Sequence, residues 1–284
     1  MDSRPGYPRI YRDDPSDPGS AAPPDARELA ARELLRPLSV RPTHHELEPF
    51  SRAWFEELEI KRYAPHGVWL QRVLEFTRHA GESLLMLGAG VGTDALQYHR
   101  HGVEVTVCAA ASDHPELVRR NFDVRGLTAR VLRSAPDQTL PFERGAFDLA
   151  YLNLLSTPPA DLPTTVSELY RVLKPGGKVF VLAPARFDVK LWAAVLLPYR
   201  RWCRSRPADL SDAPRFTKHS LRALFPRFTE SRVAKRHIRR SEVPPIWRWL
   251  PTSVLERLIG RVLVLRAFKP ISAAMEAIPE TPAA

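Results

Sequence analysis

The 284-residue chain carries 42 Lys and Arg against 32 Asp and Glu, a net charge of +10, and 44% hydrophobic residues, which is ordinary for a globular protein with one α/β domain and appendages. The longest apolar runs, "LWAAVLLP" and "VLVL", fall far short of the roughly 20 residues of a membrane span, and the opening two dozen residues lack the apolar centre of a secretory signal. Two cysteines, Cys108 and Cys203, make neither a disulfide framework nor a zinc site, so these features predict a cytoplasmic chain that needs no metal.

Residues 1–24 are rich in Pro, Asp, Ser and Gly and predict a disordered tail. Residues 25–80 predict helices. "DARELAARELLR" places Leu29, Leu34 and Leu35 on one side, and "PFSRAWFEELEIKRY" places Phe50, Trp54, Phe55 and Leu58 on one face. "PHGVWLQRVLEFTRHAG" has Pro65 near its start and Gly81 past its end, with Val68, Trp69, Val73, Leu74 and Phe76 as its buried side. Strands and helices then alternate over 81–185. "SLLML", "VEVTVC", "ARVLR", "FDLAYLNLL" and "KVFVLAP" read as strands; "GTDALQYHRHG", "HPELVRRNFDVRG" and "DLPTTVSELYRVL" read as helices, the last stopped by "KPGG". Such alternation implies crossover units and a parallel sheet covered on both faces.

Residues 186–270 predict an inserted helix "KLWAAVLLPYRRW", a sixth strand past 225, the Trp-rich helix "PPIWRWLPTSVLERL" and a closing strand "RVLVLRAF"; 271–284 read as a flexible tail. Between Arg186 and Arg240 stand 15 Lys or Arg and four Asp or Glu, so the positive charge is concentrated there. A solvated face accounts for it first and an anionic membrane surface second; nucleic acid is the least favoured, since no recognition motif is present.

Gly88, Gly90 and Gly92 fall between a predicted strand and helix, where main chain must approach a ligand closely. A helix beginning near Thr93 turns free N–H groups toward that ligand and favours a carboxylate or phosphate. A dinucleotide fingerprint wants a sixth-position glycine, here Thr93, and an acid about 20 residues on, where Cys108, Ala109 and Ala110 stand. NAD binding is excluded on both counts, and no Gly-Lys-Ser/Thr follows to make a P-loop.

The glycine turn, "LPFERGAFDLAYLNLL" and "ELYRVLKPGGKVFVL", in this order, resemble blocks of the class I S-adenosylmethionine-dependent methyltransferases, of the type 11-like kind, over roughly residues 50 to 185. "WFEELEIKRY" and "LERLIGRVLVLRAFKP" are also similar to one branch of small-molecule methyltransferases. The resemblance implies a Rossmann-like, seven-stranded, mostly parallel sheet whose final strand inserts antiparallel, with helices on both faces. It further implies an N-terminal helical extension covering the core and a helical lid after the fifth strand. S-adenosylmethionine is the implied cofactor. Gly88, Ala89, Gly90 and Gly92 would form the floor under its methionyl part, Ala110 and Ala111 the end of the second strand, and Asp137 the adenine neighbourhood. Asn153, with Leu154, would face the methyl group and substrate.

This sequence departs from the family at three acids. The first-strand acid is Met86, the ribose-binding acid is Ala110, and the adenine-contacting acid is Ala135 or Pro136, with Asp137 the only acid nearby. A histidine pair after the fourth strand is replaced by Leu155 and Ser156. Asp94, Asp113 and Asp137 are candidates to replace the lost contacts, and His114 could donate near the adenosine edge; for Asp94 and Asp113 a solvated helix start is the first reading.

No residue announces itself as a general base. His66 and Tyr63 lie where the N-terminal helices would cover the cofactor, as pocket residues or as a capping histidine and a core tyrosine; His219 and His237 read as surface residues. The lid, 186 to 250, mixes basic, aromatic and apolar residues and suggests an acidic or lipid-like substrate. The function predicted is methyl transfer to a small-molecule or lipid-like acceptor. The alternative is a non-catalytic binding or scaffold protein that keeps the fold without the cofactor contacts.

Overall fold

The computed structural model describes residues 25–35, 47–63, 67–110, 114–134, 139–155, 158–188, 214–238, 243 and 247–271. Three helices lead in: α1 (Ala26–Glu33), α2 (Arg52–Tyr63) and α3 (Val68–Leu74). The alternating core follows as β1 (Ser83–Leu87), α4 (Thr93–Arg100), β2 (Glu104–Ala109), α5 (Pro115–Asp123), β3 (Arg130–Arg133), β4 (Phe147–Asn153), α6 (Leu162–Val172) and β5 (Leu173–Pro184). After it come α7 (Lys218–Ala223), β6 (Thr229–Arg236), α8 (Thr252–Ile259) and β7 (Val262–Phe268).

The seven strands form one sheet in the order β3-β2-β1-β4-β5-β7-β6. β1 to β5 are parallel, and β7 lies antiparallel between β5 and β6. β1 pairs with β2 on one side and β4 on the other, so the strand order reverses there. In open α/β sheets a reversal of this kind leaves a crevice at the carboxyl ends of the strands.

Both faces of the sheet are buried, which is why the central strands are apolar throughout rather than alternating. Leu84, Met86, Tyr151 and Phe180 pack on one face with Tyr98 and Phe122. Leu85, Ala150, Leu152 and Val181 pack on the other with Leu169, Leu221 and Phe225. A third cluster joins Ala30 and Leu34 of α1 and Trp54, Phe55 and Leu58 of α2 to Val91 and Leu117. The lead-in helices are thereby pinned onto the turn after β1 and onto α5.

Several boundaries differ from the sequence expectation. The third helix stops at Leu74, because Glu75 adopts φ +53°, and a 3-10 turn over Phe76–Arg78 follows. The Glu75 carboxylate accepts from Lys178 at 2.7 Å and Arg266 at 2.6 Å, tying the break to β5 and β7. Val68 is exposed and Leu70 buried, so the inward face of α3 is rotated from the one expected. "KPGG" does not lie between helix and strand: β5 already pairs at Leu173, and the register shifts before Lys178. The Trp-rich stretch is not one helix; α8 starts only at Thr252, after a turn at 247–250 and Pro251. His237 is not at the surface. It is buried just after β6, with its ring 6.1 Å from that of Trp69. The predicted tails, 1–24 and most of 271–284, and the inserted helix "KLWAAVLLPYRRW" lie outside the described residues.

Candidate functional site

Leu87, the last residue of β1, sits between Cys108 of β2 and Leu152 of β4. Gly88 therefore leaves the sheet beside Asn153 on one side and Ala109 on the other, at the reversal of strand order. Gly88, Gly90 and Gly92 have φ of +69°, +60° and +82°, the region an L side chain resists. A Cβ on Gly92 would also lie 3.0 Å from Val118 Cγ1. The turn closes with Gly92 N–H donating to the Ala89 carbonyl at 2.9 Å, and α4 starts with no side-chain cap.

Behind this turn lies a buried ionic cluster. Arg62, the penultimate residue of α2, donates from Nε to Asp94 Oδ1 at 2.7 Å and from Nη2 to Oδ2 at 2.6 Å. Tyr63 Oη donates to Asp94 Oδ1 at 2.7 Å, and Tyr151 Oη, from the centre of β4, to Oδ2 at 2.8 Å. Arg62 Nη1 donates to the Glu33 carbonyl and lies 3.4 Å from its Oε2. Glu33 Oε1 accepts from Val91 N–H at 2.9 Å, and the Val91 carbonyl accepts from Asn121 Nδ2 at 2.7 Å. Arg62, Glu33, Asp94 and Asn121 are all buried.

The two acids respond oppositely. Burial alone would raise the Asp94 carboxyl, but the Arg62 charge and three hydrogen-bonding side chains outweigh it and hold Asp94 below the usual range. Burial pushes the Glu33 carboxyl up, with Arg62 opposing and Asp94 adding to the rise. Burial and the nearby Asp94 charge likewise keep the Tyr63 and Tyr151 hydroxyls protonated, as the donors this geometry requires. Asp94 is therefore neither a solvated helix start nor free to bind a ligand: both of its oxygens are taken.

The other expected site residues fall as follows. Ala89 is buried and Gly90 half-buried in the turn. Met86 is fully buried in β1. Ala109 ends β2, and Ala110 follows it half-buried, so neither brings a side-chain acceptor to the strand end. Asn153 ends β4, and its Oδ1 accepts from Leu155 N–H at 3.0 Å. Leu154 N–H donates to Leu182 at 2.8 Å. His114 precedes α5, its Nδ1 3.3 Å from Glu116. Ala111, Asp113, Ala135, Pro136, Asp137, Ser156 and His66 lie outside the described residues.

Sequence reasoning missed Glu33, Arg62 and Tyr151. A signal existed: Arg62 follows Phe55 and Leu58 at seven and four residues, on the inward stripe of α2. A charged side chain on that stripe needs a buried partner.

The carboxyl edge of β5 and the start of β7 carry a second feature. Lys235 Nζ donates to the carbonyls of Phe187 and Leu258, the latter at 2.7 Å, which ties the segment after β5 to α8. Phe187, Trp249, Val254 and Leu258 are four of the seven large hydrophobics exposed among the described residues. Arg186, Arg248 and Arg257 are exposed in the same segments.

Residues 84–177 match the family described as "Methyltransferase domain". The demethylmenaquinone methyltransferase of Thermus thermophilus is 35% identical over 117 residues, 40% of this chain and 53% of that protein. The sterol 4-C-methyltransferase of Caenorhabditis elegans is 34% identical over 98 residues, 34% of this chain and 29% of that protein. The chain thus spans about half the length of the first and under a third of the second. In three dimensions it is similar to a geranyl diphosphate C-methyltransferase from Streptomyces coelicolor, solved with Mg2+, geranyl diphosphate and S-adenosyl-L-homocysteine. That likeness has a TM-score of 0.51 at 15% identity, over 80% of this chain and 88% of the other, and bears on the fold.

Proposed function

We propose that the chain, whose residues 84–177 match a methyltransferase domain, is a class I S-adenosylmethionine-dependent methyltransferase that transfers a methyl group from S-adenosylmethionine to a small, lipid-like acceptor. The observation that carries the proposal is the glycine turn at the reversal of strand order, three glycines of positive φ leaving the sheet between Ala109 and Asn153. The residues fit the cofactor in part. Gly88, Ala89 and Gly90 would lie under its methionyl end, and Asn153 beside the transferred methyl. Ala109 and Ala110 bring no side-chain acceptor to the end of β2, where two ribose hydroxyls would want one; Asp113 and Asp137 remain candidates to supply it.

When bound, the cofactor supplies a methyl on a sulfonium, an electrophile that needs no metal. The chain's part is then to hold an acceptor in line and to exclude water. On this reading 25–80 cover the core, 81–185 form it, and 186–270 supply the lid and closing strands. A cytoplasmic location belongs to the same reading; no helix of the described residues is long and apolar enough to cross a membrane.

Two observations support a lipid-like acceptor. The matched relatives act, by their names, on demethylmenaquinone and on a sterol. The exposed Phe187, Trp249, Val254 and Leu258, set among Arg186, Arg248 and Arg257, also have the make-up of a surface that meets anionic lipid. The anionic-membrane contact expected of residues 186–240 extends on this view into α8. The non-catalytic alternative rests on the missing acids and draws no support from these relatives, which bear the names of enzymes.

Calorimetric titration with S-adenosylmethionine and S-adenosylhomocysteine tests the proposal. Ala110→Asp, by restoring a charged acceptor, is expected to tighten binding roughly tenfold or more. Absence of binding in the wild type and in an Ala110→Asp, Met86→Glu double variant refutes it.

A further inference from the structure

The amide at the centre of the glycine turn already has a carboxylate on it, and that carboxylate belongs to the chain. Val91 N–H donates to Glu33 Oε1 at 2.9 Å, the Thr93 side chain stands close enough to the same carboxyl to favour its charge, and Arg62 Nη1 lies 3.4 Å from its other oxygen. A turn amide, a hydroxyl at a helix start and a guanidinium together recognise carboxylates in general, not glutamate in particular.

The two partners of Arg62 are held unequally. Asp94 takes Nε and Nη2 in a two-bonded fork and is also fixed by two tyrosine hydroxyls, so Arg62 keeps its place when the Glu33 carboxylate leaves, although Nη1 gives up the Glu33 carbonyl as α1 withdraws. Glu33 has no such fork, and its burial disfavours its charge. It is the last residue of an eight-residue helix, whose apolar anchorage is Ala30 and Leu34 against Trp54, Phe55 and Leu58.

We propose that Val91, Thr93 and Arg62 form a seat for the α-carboxylate of an amino-acid-bearing ligand, and that Glu33 is its displaceable tenant. α1 is then a gate: a ligand carboxylate takes the seat, Glu33 withdraws, and α1 leaves the turn. This rests on the cofactor reading above, since it is the methionyl end of such a ligand that carries the carboxylate.

The test compares S-adenosylhomocysteine with 5′-methylthioadenosine, which lacks the amino-acid end, on the wild type, Glu33→Ala and Glu33→Gln. Glu33→Ala is expected to tighten S-adenosylhomocysteine about tenfold and to leave 5′-methylthioadenosine unchanged. Glu33→Gln, which retains an acceptor for Val91 N–H, is expected to stay close to wild type. In the wild type, S-adenosylhomocysteine should speed hydrogen exchange over residues 26–35, and 5′-methylthioadenosine should not. If Glu33→Ala shifts both nucleosides alike, or α1 stays equally protected with S-adenosylhomocysteine bound, Glu33 is a fixed strut and the gate is refuted while the cofactor reading stands. If neither nucleoside binds any variant, the cofactor reading falls and takes the gate with it.

Discussion

Replacing Arg62 by Met isolates what the buried cluster contributes. The fork to Asp94 is buried at both ends, with side-chain exposure of 2% and 4%. Removing the cation leaves Asp94 with two tyrosine hydroxyls as donors and no compensating charge. Breaking a buried pair from one side costs about 3–5 kcal/mol, a large share of the roughly 5–15 kcal/mol by which a domain is stable. For a chain of this size that corresponds to a fall in Tm of roughly 10 °C. Urea titration followed by tryptophan fluorescence measures it, with Trp54 packed against the affected helices. A second variant adds Asp94→Leu to Arg62→Met. Replacing both charges with apolar groups is often close to neutral, so the double variant should recover most of the loss. A single variant costing under about 1 kcal/mol, or a double variant worse than the sum of its parts, would show that the pair is not held as described.

The two acids of the cluster predict opposite pH dependences. Asp94 is depressed, so its stabilisation is present above the unfolded carboxylate value of about 3.9 and is lost as pH falls through the lower folded value. Glu33 is raised, so the folded state holds its proton longer and stability declines as pH rises from about 4.3 through the folded value; Glu33→Gln should flatten that decline and leave the acid limb intact. Gly92→Ala, at φ +82° and against Val118, is expected to cost about 1–2 kcal/mol or more in the same urea assay, and a neutral result would mean the turn relaxes freely. Leu258→Asp with Trp249→Ser should abolish cosedimentation with phosphatidylglycerol vesicles without lowering Tm. Equal binding of the wild type to phosphatidylcholine vesicles, or binding to neither, would remove the membrane contact.

The sheet was legible because its signal is redundant. Four apolar runs, those of β1, β2, β4 and β5, stand among amphipathic helices without the polar alternation of a half-exposed strand, whereas the edge strand β3 is short and exposed at both ends. The glycine turn was legible for a similar reason, since three glycines at alternate positions have few other uses. The ionic cluster was not, because its members are spread over α1, α2, α4 and β4, and a charged residue's burial depends on partners far away in sequence. Asp94 is an instance: at the start of a helix an aspartate usually caps or faces water, and only the arrival of Arg62 and two tyrosines turns it inward. His237 misled in the same way, since a basic neighbourhood says nothing of the fold of α3 that brings Trp69 against it.

The acids of this chain are missing from the strand ends and present behind the turn, and this bears on how a ligand could still be held. Ala109 and Ala110 bring no side-chain acceptor to the end of β2. The turn, however, is fixed on two sides that no ligand has to displace: by Asn121 on the Val91 carbonyl and by the Asp94 fork at the first residues of α4. A site that is already ordered spends little of its binding energy on ordering, which offsets part of what the alanines fail to supply. Arg62→Met should then weaken nucleoside binding even at a temperature where the variant is fully folded. The loss should appear even with 5′-methylthioadenosine, which has no carboxylate for Arg62 to meet, and be larger with S-adenosylhomocysteine, which also loses the guanidinium of its seat. A stable fold fraction with unchanged affinity for 5′-methylthioadenosine would mean that Arg62 holds the helices together and nothing more.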